Sequence, residues 1–138
     1  MRNAKLTLAA ASLVAGVIGA WGVQTLYAQD KQAAFKRTML QKNDLSAQGR
    51  EAVQVLAEFA PGAAAGKHTH PGEEMGYVLE GTLVLEVVGK KPVTLKAGDV
   101  FFVPAGVVHD GKNAGKGPAK VLATYVIEKG KPVATPVK

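Results

Sequence analysis

The sequence predicts an all-β domain, a small antiparallel sandwich or barrel, behind an apolar N-terminal segment. Three observations predict it. Short runs rich in β-branched and aromatic residues recur at the roughly 8–12-residue spacing of small antiparallel folds. Turns containing Gly or Pro separate those runs. Past residue 28, no stretch carries the 3.6-residue apolar period of a helix.

Residues 1–28 read as an export signal. Arg2 and Lys5 give a basic start, the run from Leu6 to Ala20 is apolar, and Tyr27-Ala28-Gln29 offers a cleavage point. The rival reading is a retained membrane anchor, because the apolar run extends to Val23. Either way the folded part lies outside the cytoplasm, periplasmic or secreted, or held at the membrane through residues 1–28 alone. The segment has no Arg-Arg pair, which favours export of the unfolded chain. Residues 29–45 form an N-terminal arm in which Lys36 to Asp44 reads as an edge strand, with Asn43-Asp44 as its turn. The domain proper occupies residues 46–129.

Glu51 to Phe59 is a strand whose Val53, Val55, Ala57 and Phe59 alternate with Gln54 and Glu58. Ala60-Pro61-Gly62 ends it. Lys67 to His70 is a short strand broken by Pro71-Gly72, and Glu74 to Glu80 follows, closed by Gly81. Thr82 to Val88 and Pro92 to Lys96 form a hairpin around Gly89-Lys90-Lys91. Val100 to Val103 and Val107 to His109 flank the turn Pro104-Ala105-Gly106. Asp110 to Pro118 reads as a loop, Ala119 to Glu128 as a long strand, and residues 130–138 as a fraying tail.

Composition removes several classes of function. There is no cysteine, hence no disulfide framework and no thiolate ligand. The net charge of +6 arises from 17 basic and 11 acidic residues; without Arg2 and Lys5 it is 15 against 11, or +4. The lysines are scattered and lack interleaved aromatics, a solvated surface rather than a nucleic-acid interface.

All three histidines lie in two stretches, His68-Thr69-His70 and the end of Gly98 to His109. An H-x-H pair on a strand directs both imidazoles to one face. Glu74, beyond the Pro71-Gly72 turn, can fold back toward that face, and His109 would complete a mixed N/O site for a divalent transition ion. An octahedral ion held by His68, His70, Glu74 and His109 keeps two adjacent positions for water or a bidentate substrate. Asp110, Glu73 and backbone carbonyls are the candidate acceptors for the outer ring nitrogens. Gly76, Val78 and Val107 share faces with the ligands and are expected to line the cavity; Val100, Phe102 and Tyr125 are wall candidates with core packing as the simpler role. Tyr77 faces away from Glu74, Glu73 is a surface charge, and Asn113 is a turn residue. Arg37 and Arg50, the only arginines past the signal, fall on an arm or edge. With no cation aimed inward, the expected ligand is small or largely apolar.

The two stretches resemble the motifs of the cupin superfamily. Gly62, His68, His70, Glu74 and Gly81 meet G-x5-H-x-H-x3-E-x6-G, and Gly98, Pro104, Gly106, His109 and Asn113 meet G-x5-P-x-G-x2-H-x3-N. The resemblance runs from about Ala52 to Glu128, as in small single-domain members. It implies an antiparallel jelly-roll β-barrel, a homodimer built through an edge strand, and one metal on His68, His70, Glu74 and His109. Zinc, copper, nickel, manganese and iron all remain open. The family's reactions are too varied to choose one from the fold. The sequence supports an exported metal-binding protein, as a dioxygenase-like oxidoreductase acting on a small organic substrate or as a non-catalytic binding module.

Overall fold

A computed structural model describes residues 34–138. The readings made for residues 1–28 and for the start of the arm lie outside the described residues. Ten strands follow in order: β1 Phe35–Asp44, β2 Arg50–Phe59, β3 His68–Thr69, β4 Gly72–Glu80, β5 Thr82–Val87, β6 Val93–Lys96, β7 Val100–Val103, β8 His109–Lys112, β9 Ala119–Glu128 and β10 Thr135–Pro136. They build two five-stranded antiparallel sheets, β1-β2-β9-β4-β7 and β10-β3-β8-β5-β6. No helix occurs among the described residues.

The core follows from alternation in β2 and β9. Val53 pairs with Tyr125, Val55 with Ala123, Ala57 with Val121 and Phe59 with Ala119, and all eight are buried. Phe59 and Val121 join Leu83, Leu85 and Leu95 of the facing sheet, together with Val78 and Val103, in the larger cluster. Each aliphatic side chain so removed from water contributes on the order of 1.5–3 kcal/mol. Val53, Val55, Tyr125 and Ile127 form a second cluster at the other end, capped by Val133.

Four local expectations are corrected. Asn43 and Asp44 stay in β1, opposite Ala52 and Glu51, and the turn comes after them. Asp110 to Lys112, read as loop, form β8, where their backbone satisfies the edge of β5 from Val84 to Glu86. The run Val100 to Val103 gives no alternation from which to read its faces. Pairing of Glu74 with Val103 and Gly76 with Phe101 sets them, so Phe101 and Val103 turn inward. Val100 and Phe102 are 69% and 57% exposed, neither cavity wall nor core.

The fourth correction concerns the tail. Thr135 and Pro136 pair with Thr69 and His68, and the Val137 amide donates to the Lys67 carbonyl. A segment expected to fray is thereby bonded to the strand that carries His68 and leads into His70.

Candidate metal centre

The three histidines converge between the sheets. His68 on β3 is directly opposite His109 on β8, and His70 follows β3 by one residue. One ring nitrogen from each lies within 4.8 Å of the others, and all three side chains are buried. The loop bearing the second motif is tied to the first, since the Gly106 amide donates to the His70 carbonyl over 2.9 Å.

The outer nitrogen of every ring is engaged by backbone. Nδ1 of His68 donates to the Gly66 carbonyl over 2.6 Å, that of His70 to Val133 over 2.5 Å, and that of His109 to Val107 over 2.9 Å. A carbonyl only accepts, so each Nδ1 carries the proton; His68 and His70 turn an Nε2 lone pair inward, whereas Nε2 of His109 carries a proton that it donates to Glu74 and gives up when an ion binds. Among the expected acceptors the backbone therefore supplies all three. Asp110 instead accepts from the Gly66 amide, and thus steadies the loop leading to His68. Sequence reasoning missed Val133 altogether.

Glu74 projects from β4 into the same space. Its Oε2 lies 2.9 Å from His109 Nε2 and 3.2 Å from His70 Nε2. The second contact is misaligned, and His70 Nε2 is a buried nitrogen without a hydrogen-bond partner. Burial works to raise the Glu74 carboxyl, but hydrogen bonding from His109 and the nearness of His70 outweigh it, holding the pKa at about 2. Burial lowers His68 to about 4, with help from the neighbouring His109, His70 and Arg37, against the Gly66 hydrogen bond. His109 is raised: burial opposes its charge, and the Glu74 carboxylate overcomes that. Burial and the charge of Glu74 push the Tyr125 phenol upward, and its ring centroid sits 4.6 Å from that of His70.

This donor set fits a divalent ion. Three Nε2 atoms and one carboxylate oxygen face one point, an ion there would displace only the proton shared by His109 and Glu74, and Nε2 of His70 has no hydrogen-bond partner among the described residues. Nitrogen and oxygen donors without sulfur suit zinc, copper, nickel, manganese and iron alike.

The cavity above the cluster is small, about 30 Å³, and opens to solvent. Phe35, Phe101 and Tyr125 wall it, over a floor of Leu83, Leu85 and Val121. Gly76 and Val78 share the face of Glu74, yet neither lines the cavity; Val78 is core, and Gly76 makes room for Phe101. Val107 packs on the core as well. Asn113 holds its turn, its Nδ2 donating to the carbonyls of Phe59, Ala60 and Gly117.

Arg37 corrects the expectation of a cavity without a cation. It opposes Ala57 across the β1–β2 pair, on the inner face, and lines the cavity. Its Nη2 reaches to 3.4 Å from His68 Nε2, and its guanidinium lies 4.8 Å from the Phe35 ring centroid.

The cupin domain family matches residues 55–125, just over half of the chain. The chain belongs to the cupin family. Germin-like protein subfamily 2 member 2 of Arabidopsis thaliana is 42% identical over 73 residues, which is 49% of this cupin and 33% of that protein. The match thus spans about a third of the plant relative's length. An oxalate oxidase in complex with the substrate analogue glycolate superimposes with a TM-score of 0.62 at 24% identity, over 75% of this cupin and 55% of that chain. The DMSP lyase DddQ from Ruegeria pomeroyi gives a TM-score of 0.65 at 21% identity, over 78% and 54%. At these identities the likeness concerns the jelly-roll fold alone, and the two named activities differ.

Proposed function

We propose that this cupin is an exported metalloprotein that holds one divalent transition ion on His68, His70, His109 and Glu74 and acts as an oxidoreductase on a small organic substrate. The observation that carries the metal reading is the set of three Nδ1–carbonyl hydrogen bonds, which aims all three Nε2 atoms at one point beside the Glu74 carboxylate. When bound, the ion supplies Lewis acidity and open coordination positions for redox chemistry. The chain's own residues do the rest. The carbonyls of Gly66, Val133 and Val107 fix the rings, the apolar floor limits water, and among the described residues Glu74 is the only carboxylate lining the cavity. A substrate proton has no other carboxylate acceptor there. The oxidoreductase reading rests on the two adjacent positions that four protein donors leave free on an octahedral ion for dioxygen or a chelating substrate.

Export carries a consequence for the metal. A chain that folds outside the cytoplasm takes its ion by intrinsic affinity, which favours copper, zinc or nickel over manganese and iron. Elemental analysis of natively exported protein, beside the same chain folded in the cytoplasm, tests this. Enrichment in zinc or copper after export is expected; equal manganese or iron loading from both compartments would count against it. Oxygen uptake with phenolic, diketone and thiol substrates tests the reaction.

The second reading is a binding module that holds a metal or small ligand without turnover. The absence, among the described residues, of any lining carboxylate other than Glu74 favours it. A tightly held molecule co-purifying with the metal, without oxygen uptake, would select it.

The proposed homodimer draws support from the outer face of β4 and β7, where Met75, Tyr77, Leu79, Val100 and Phe102 are exposed side by side. Sedimentation of the intact chain and of Phe102→Glu tests it; a wild-type monomer would sink it.

A further inference from the structure

We propose that Arg37 makes the cavity a receptor for a short-chain carboxylate that binds together with the metal. The inference rests on the metal reading given above and adds the class of ligand to it.

Charge is the first ground. Among the described residues lining the cavity, Glu74 is the only acid and Arg37 the only lysine or arginine, and they balance each other. A divalent ion held by neutral imidazoles leaves two positive charges uncompensated in a largely apolar space. Such a space favours an anionic third component.

Geometry is the second ground. Arg37 Nη2 points at the Nε2 lone pair of His68, 3.4 Å away, the same lone pair an ion would take. Metal binding therefore severs that hydrogen bond and leaves guanidinium donors free beside the ion. Arg37 is an exposed residue, and the Phe35 ring, 4.8 Å from its guanidinium, holds the planar group over the cavity mouth. A carboxylate matches the guanidinium fork and can present its other lone pairs to the ion. Leu83, Leu85 and Val121 then receive a short apolar chain.

The two cations repel each other unless an anion lies between them. Metal and carboxylate should thus bind cooperatively, with Arg37 as the coupling residue.

The experiment is calorimetric titration of zinc into the chelator-stripped full chain, in carboxylate-free buffer, with millimolar acetate or with acetamide. In the wild type, acetate is expected to strengthen zinc binding about tenfold, the scale of one charge-assisted hydrogen bond, and acetamide to leave it unchanged. Arg37→Gln should bind zinc without acetate at least as tightly as the wild type and show no acetate effect. Arg37→Lys, with a charge but no fork, should keep part of it. An acetate effect of equal size in Arg37→Gln, or none in zinc-binding wild type, overturns the proposal while leaving the metal site standing. Failure of the wild type to bind zinc under any condition overturns both.

Discussion

The Nδ1 of His70 donates to the carbonyl oxygen of Val133 over 2.5 Å, so the C-terminal segment holds one of the candidate ligands in place. The same segment covers Val53, Val55 and Ile127 through Val133 and pairs with β3 through Thr135 and Pro136. Deleting residues 131–138 removes the acceptor that fixes the His70 tautomer. Zinc affinity is expected to fall about 10- to 100-fold, the usual cost of losing a partner of a ligating histidine. Val133→Ala keeps the carbonyl and should lose much less. Zinc binding by the truncated chain at full-length affinity would show that the tail is only packing.

Metal loading should stabilise the fold, because His68 of β3, His70 just beyond it, Glu74 of β4 and His109 of β8 are brought together only when the two sheets are in place. At free zinc of a hundred times its dissociation constant, the gain is about 2.7 kcal/mol. For a domain of this size that raises the melting temperature by roughly 10–20 °C. His109→Ala and Glu74→Gln should abolish most of the shift, and a shift that survives both would place the ion elsewhere. Thermal unfolding with zinc and with chelator measures it.

The metal-free protein should lose stability on acidification in two stages. His68 titrates near 4 in the fold against 6.5 in the open chain, so the unfolded state binds the extra proton between those values. Stability therefore declines as pH falls from 6.5 toward 4. Glu74, held at about 2 against 4.5, contributes fully above 4.5 and is lost as pH falls through 2. His109 acts oppositely: its raised value gives stability present below 6.5 and lost as pH rises through the folded value. Urea midpoints against pH, in chelator, check the order. His68→Gln should flatten the limb between 6.5 and 4 and leave the lower limb; an unchanged upper limb would remove His68 from the account.

What the residues reveal in advance depends on whether side chains or backbone do the work. β2 and β9 are legible because Val53 to Phe59 and Ala119 to Ile127 alternate in burial with period two. The His68, His70, Glu74 and His109 constellation is legible because its spacing follows from one strand face and one turn. The tail was not, since it docks through backbone groups of Val133, Thr135 and Pro136, and backbone bonding leaves no side-chain pattern. Phe101 was hidden in a run of four apolar residues without alternation. Arg37 carried no such signal: the β1–β2 register sets it opposite buried Ala57, while Met39, two residues on, is 58% exposed, so the edge strand read from the sequence shows no inward stripe.

Gly76 gives the most direct test of how the cavity wall is set. A Cβ built on it would lie 2.1 Å from the Phe101 ring, a contact that real side chains do not make. The backbone there is ordinary strand, paired to Phe101 itself, so the constraint is space and not conformation. Gly76→Ala must therefore push Phe101 off the wall, at a cost of about 1–3 kcal/mol, the range for overfilling a packed site. Phe101→Ala alone loses a half-buried ring. In the double variant the added methyl has nothing to strike, so the two effects should fall short of additivity by about 0.5–3 kcal/mol. Urea unfolding of the four proteins measures the coupling. Additive losses would mean that the methyl is absorbed elsewhere and that Gly76 does not set the position of Phe101.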